Sequence, residues 1–347
     1  MSFASVSSIL GWALAVLGIA MTVPVAVGFG YGESDAAAAF AVAAVMTVFA
    51  AGLLIIATRG SRAAGTKREN VAATVAVWVV APLFAALPLY AAGAASGALN
   101  AWFESVSGLT TTGATAIGPI EAAGHATLIW RAMLQWLGGV ATVMTVVVHL
   151  AHLGVGGMQL YPGAMLHGEQ DPLLERLAST GLAVSAVFAI LAAACFVALL
   201  ATGIPAFDAV AHALATVSTG GFSTRDGSVG AFANPAAEAV LIVFMVLGAA
   251  NASLHWLVVR RRNPREYWRD PEFLRFVSVA ALAAAAISVA LAALSGVEAG
   301  EAIRHGAFAA VSAITTTGFS TGGDIAWPLL APLLLLVLML AGGCTGS

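Results

Sequence analysis

The feature that most limits this chain is a series of apolar runs too long for a soluble fold to hide. They cover about residues 5–29, 36–58, 69–95, 126–152, 175–201, 235–259 and 272–295, and an eighth extends from about 325 to the last residue. Crossing the hydrocarbon core of a bilayer takes about 20 helical residues. Lipid offers no partner to a backbone N–H or C=O, so helices that satisfy their own groups are the expected form. Only 9% of the 347 residues are charged, against roughly 25% in a soluble domain. The reading is an all-α polytopic membrane protein. The first run has no basic start, is too long for the apolar stretch of a signal peptide and is followed by a second span, so it reads as a retained helix.

Three further runs, at about 100–110, 206–217 and 301–314, are too short to cross. Each leads into a hydroxyl- and glycine-rich loop: Thr110-Thr111-Thr112-Gly113-Ala114-Thr115, Ser218-Thr219-Gly220-Gly221-Phe222-Ser223 and Thr315-Thr316-Thr317-Gly318-Phe319-Ser320. Aligned on Gly113, Gly221 and Gly318, the copies lie 108 and 97 residues apart, the mark of an internal repeat. A glycine there admits positive φ and lets the backbone turn its carbonyl oxygens toward one place. Loops of this kind converging on an axis form a ring of carbonyls, the device that replaces the water shell of a potassium ion. The residues thus read as the pore subunit of a cation transport system. The expected units are 1–68 (two extra N-terminal helices), 69–160, 161–262 and 263–347, the last three each a span, half-helix, loop and span.

The half-helices agree position by position. Leu109, Val217 and Ile314 stand four before the aligned glycine, and Val106, Leu214 and Val311 stand seven before, which gives each one packing stripe. Their starts are polar: Asn100 and Glu104, Asp208 and His212, Glu301 and His305. Such a helix aims its partly negative C-terminal end at the loop, which suits a cation.

Basic residues set the expected orientation. The segments 59–70 and 260–275 carry ten arginines and lysines and lie an even number of crossings apart, so both fall on the cytoplasmic side, with Arg176 and the N-terminus. The opposite side then holds three basic and ten acidic residues, an arrangement that concentrates cations. The spans after each loop are expected to be interrupted, at Gly138-Gly139, at Gly248 and Asn251, and at Gly342-Gly343-Cys344-Thr345-Gly346-Ser347. Irregular backbone at that depth survives only when buried or lining a watery cavity, so Gly342, Gly343, Thr345 and Gly346 form a candidate gate.

Residues 103–115, the stretch Trp130-Arg131 to Gln135-Trp136-Leu137-Gly138-Gly139, and Leu153-Gly154-Val155-Gly156-Gly157-Met158-Gln159-Leu160 resemble the Trk/Ktr/HKT superfamily of potassium transporters, closest to its TrkH branch. The resemblance covers nearly the whole chain. It implies four pseudo-repeats around one pore, with potassium as substrate and no cofactor. The filter positions it implies are Thr111, Thr112, Gly113, Thr219, Gly220, Gly221, Thr316, Thr317 and Gly318, above a gating loop that starts at 342–347. It also implies a plasma (inner) membrane location, a homodimer and a cytosolic nucleotide-binding regulatory partner, for which the basic segment 260–275 offers a docking surface. It implies no nucleic-acid partner. A fourth glycine is expected about 100 residues beyond Gly318, so the chain reads as stopping short of the fourth repeat.

Two rival readings carry less. A secondary transporter of sodium or another small solute would favour ionisable groups deep in its spans, and these spans hold almost none. A metal site or membrane enzyme on His149, His152 and His125 would have no neighbouring cysteine or paired carboxylate, nor any set of nucleophile, base and oxyanion donors. Cys195 and Cys344 sit in different apolar runs and read as unpaired. No enzymatic activity is expected.

Overall fold

The computed structural model describes residues 3–60, 66–150, 173–323 and 325–342, and all regular structure among them is helical. Helices α1 (Phe3–Ala20) and α2 (Thr22–Gly30) share the first apolar run, which breaks at Met21, three residues before Pro24. There follow α3 (Ser34–Ala57), α4 (Lys67–Ala91), α5 (Ala98–Leu109), α6 (His125–Leu150), α7 (Leu173–Ala201), α8 (Ala206–Val217), α9 (Pro235–Ala249), α10 (Ala252–Arg261), α11 (Pro271–Ser295), α12 (Ala299–Ile314) and α13 (Leu330–Ala341). The short runs expected to be half-helices are α5, α8 and α12.

Helix starts follow local chemistry. The Thr66 hydroxyl accepts from the Glu69 N–H, and the Glu69 carboxylate accepts from the Thr66 N–H, a reciprocal cap on α4. Asn234 and Asp270 cap α9 and α11 by accepting from the N–H groups of Ala237 and Phe273, each followed by a proline whose missing N–H would have had no partner in the first turn. The start of α6 is capped from afar: the Glu33 carboxylate accepts from the N–H groups of His125 (2.6 Å) and Ala126 (3.0 Å).

Among the described residues, five helical segments are long and apolar enough to cross a membrane: Phe3–Gly30, Ser34–Ala57, Arg68–Ala91, Leu182–Ala201 and Pro271–Ser295. Eight crossings were expected. Of the other three, α6 carries Arg131 and Gln135, α9 stops at Ala249, and α13 runs for 12 described residues. One expectation about interruptions is corrected. Gly138-Gly139 does not break its span, because α6 is helical from His125 to Leu150; two glycines cost helix propensity, not the hydrogen-bond ladder. The break expected near Asn251 is present between α9 and α10.

The chain divides into two compact units. One comprises Met1–Leu109, Ala114–Leu134 and Met144–Ala183. Within it α1 packs on α3 and α4, and α5 packs on α4. A side chain at Gly18 would run into Val48 and the Ala44 carbonyl, so the missing Cβ sets how closely α1 and α3 approach. Trp130 is wholly buried and donates its indole N–H to the Ala85 carbonyl (3.1 Å). The other unit comprises Thr110–Gly113, Gln135–Val143 and Val184–Ser347. Here α12 packs against α9, α11 and α13, and α8 against α9. Thr110–Gly113 of the first glycine loop and the whole of the other two loops fall in this second unit.

Candidate functional site

The three loops share one backbone. Thr111, Thr219 and Thr316, two residues before the aligned glycine, have φ of 52°, 50° and 56°. Gly113, Gly221 and Gly318 follow with 77°, 79° and 85°. Positive φ was expected for the glycines; for the threonines it is new. A β-branched residue in the left-handed region is a rare strain, of order 1–3 kcal/mol, and here it recurs in three copies.

Its local cause is the way the half-helices end. In α8 the Thr219 N–H bonds the Thr216 carbonyl and the Gly220 N–H bonds the Ala215 carbonyl. In α12 the same pair runs from Thr316 to Ala313 and from Thr317 to Ser312. These i−3 and i−5 bonds make a Schellman cap, which requires a left-handed residue just past the helix. Threonine occupies the place where glycine is usual.

Neighbouring loops touch at their glycines. A Cβ at Gly113 would strike the Gly220 carbonyl oxygen, and one at Gly221 would strike the Thr317 carbonyl oxygen. Among the described residues no atom lies within 4 Å of where a Cβ on Gly318 would sit. The structure therefore brings Gly113 against the second loop and Gly221 against the third, in chain order.

The polar starts of the half-helices hold the outgoing limbs of these loops. Glu104, nine before Gly113, accepts from the Thr115 hydroxyl (3.0 Å) and the Ala116 N–H (2.8 Å). Arg131 locks that carboxylate at 2.7 Å, and both side chains are buried, at 1% and 0% exposure. In the second copy, His212 stands nine before Gly221 and bonds the Ser223 hydroxyl (2.9 Å), two past it. Asp208, thirteen before, accepts from the Thr224 hydroxyl (2.5 Å) and from Arg225 (3.0 Å). In the third copy, His305 is thirteen before Gly318 and bonds the Thr321 hydroxyl at 2.9 Å. These side chains were singled out from sequence as polar; their role as tethers needed the structure.

Two loops also carry a hydroxyl pair, Thr110 with Thr112 and Thr315 with Thr317, each at 2.7 Å. The second loop has instead a side chain from α6. Gln135 donates to the Gly220 carbonyl (2.6 Å) and accepts from the Phe222 N–H (3.0 Å). In the sequence Gln135 stands out only as part of a motif and as an amide in the middle of an apolar span.

Of the candidate gate, Gly343, Thr345 and Gly346 lie outside the described residues, as does the glycine-rich stretch Leu153–Leu160. Gly342 ends α13 in extended backbone, and a Cβ there would press on the Ile314 carbonyl, the end of α12. Gly248 stands in the same relation to the Val217 carbonyl at the end of α8. Both spans therefore approach the foot of a half-helix through a glycine. The described residues hold no group of three histidines, cysteines or acids able to bind a metal ion; His152 and the His149 side chain lie outside them.

A family model described as a cation transport protein, TrkH, matches residues 36–347. The chain belongs to the TrkH family. This TrkH-family chain is 37% identical over 352 residues to the Trk system potassium uptake protein TrkH of Halomonas elongata, an alignment covering all of this chain and 72% of that protein. It is 37% identical over 292 residues to the protein of the same name from Salmonella typhimurium, covering 81% of this chain and 59% of that one. Its fold matches the crystal structure of the potassium transporter TrkH from Vibrio parahaemolyticus with a TM-score of 0.90 and 32% identity, over all of this chain and 72% of that chain. The TrkH-family chain is thus a multi-pass membrane protein built on a transporter fold.

Proposed function

We propose that the chain takes up potassium across the plasma membrane, with the three glycine loops as parts of one selectivity filter. The observation that carries this is the left-handed pair at Thr111 and Gly113, Thr219 and Gly221, and Thr316 and Gly318, with two of the glycines pressed on a neighbouring loop's carbonyl. Alternating backbone of this kind turns successive carbonyl dipoles, and a ring of such dipoles favours a cation that fits without contraction. The names of the relatives, potassium uptake proteins of a Trk system, agree with it. Potassium is the substrate.

The same reading places the N-terminus in the cytoplasm, from the basic segments 59–70 and 260–275. Arg261, Arg262, Arg265, Arg269 and Arg275 are all exposed. They suit docking of an acidic face on a cytosolic nucleotide-binding regulatory subunit, and the transporter works as a homodimer. Gly342, Gly343, Thr345 and Gly346 form the gate, with Gly342 admitting close approach to the end of α12.

The protein expressed from its complete reading frame and reconstituted in proteoliposomes tests this. Rubidium should enter faster than sodium, and potassium should compete with it. Equal uptake of sodium, or uptake of an organic solute insensitive to potassium, would remove the reading.

A further inference from the structure

The second loop departs from its two copies at one position, and another helix makes up the difference. The residue before the aligned glycine is Thr112 in the first loop and Thr317 in the third, but Gly220 in the second. Thr112 and Thr317 pair with a hydroxyl two residues earlier. Gly220 has no hydroxyl to offer Ser218, whose own hydroxyl bonds the Leu214 carbonyl at 2.9 Å, as that of Thr315 bonds the Val311 carbonyl at 2.8 Å. In the space where a side chain at 220 would project stands the carboxamide of Gln135.

That carboxamide is wholly buried, at 0% exposure. Its nitrogen donates to the Gly220 carbonyl and its oxygen accepts from the Phe222 N–H, so the two bonds bracket Gly221, the residue at φ 79°. Both peptide planes flanking that glycine are thereby fixed. Building on the potassium-filter reading above, we propose that Gln135 is a positioning residue for ion selection. It replaces, from α6, the hydroxyl pair that the first and third loops carry themselves, and residue 220 lacks a side chain because Gln135 needs the room. The chemistry admits few substitutes. An ionised glutamate cannot donate to the carbonyl, a methionine fills the volume but neither donates nor accepts, and an asparagine falls one methylene short.

The test uses the protein from its complete reading frame in proteoliposomes and reads the ratio of rubidium to sodium uptake. Gln135→Met removes the bonds to the Gly220 carbonyl and the Phe222 N–H, so the ratio should fall by about tenfold while uptake itself persists. Gly220→Thr collides with the amide and should lower the ratio by a similar factor. The double variant Gln135→Ala/Gly220→Thr gives the second loop room for a hydroxyl pair with Ser218, and should return to within about threefold of the wild-type ratio, a non-additive outcome that contacting residues allow. General damage to the fold would not be repaired in this way. If Gln135→Met cannot be recovered from membranes, Gly220→Ala, which displaces the amide with Gln135 in place, carries the same expected fall. A wild-type ratio in whichever of these is recovered, or a double variant no better than Gly220→Thr, overturns the inference alone. A wild-type protein that does not prefer rubidium overturns the filter reading and this inference with it.

Discussion

The second and third loops reach the same backbone with different support. The third is largely self-contained: Thr315 and Thr317 pair, and the Ser312 hydroxyl donates to the Phe319 carbonyl at 2.8 Å, holding the loop to its own half-helix. The second borrows its key contacts from Gln135 on α6. Their glycines differ as well, since Gly221 is pressed against the Thr317 carbonyl while Gly318 meets no described atom. Sequence repetition has thus preserved the dihedral angles and not the contacts that enforce them. A repeat can diverge in its side chains as long as each loop finds some route to the same peptide planes.

Substitutions can break that comparison in order of expected effect. Gly221→Ala is the most severe for transport, because its Cβ meets both a left-handed φ and a neighbour's carbonyl. Strain and overpacking together should cost about 2–5 kcal/mol, enough to abolish rubidium uptake and lower the melting temperature of the purified protein. Arg131→Met removes one partner of a buried ion pair and strands Glu104. The expected loss is about 3–5 kcal/mol at most, read as reduced thermal stability, with less effect on the second and third loops than on the first. Ser312→Ala takes the donor from the Phe319 carbonyl, an effect of about 1–3 kcal/mol confined to the third loop. Gly318→Ala is the mildest, since among the described residues only φ resists it, at roughly 1–2 kcal/mol. A melting temperature for Gly318→Ala as low as that of Gly221→Ala would show that the third glycine is as crowded as the second.

Much of this was legible beforehand. The half-helices were placed to within two residues because short apolar runs between long ones have a single sensible form in lipid. The aligned glycines were legible because only that residue tolerates the turn freely. The threonines at 111, 219 and 316 were not, since a β-branched residue argues against positive φ; at 219 and 316 the Schellman cap imposes it. Nor was the function of Gln135, whose contacts lie 85 and 87 residues away in sequence. Nor was the crowding at Gly220, which has no positive φ but whose Cβ would meet the Gln135 carboxamide. The unbroken α6 shows the opposite limit, where a glycine pair looked like punctuation and the helix ran through it.

The central claim is that the three loops form one ion-selecting site, and Gly113 tests it most directly. Its φ of 77° and the Gly220 carbonyl against it leave no room for a side chain. Rubidium and sodium uptake should be measured in proteoliposomes with the wild-type protein and with Gly113→Ser, at matched protein levels. The account predicts a preference for rubidium in the wild type that falls by about tenfold or more in Gly113→Ser, because a displaced carbonyl ring loses its differential fit. A Gly113→Ser protein that transports at the wild-type rate with the wild-type ratio would contradict it.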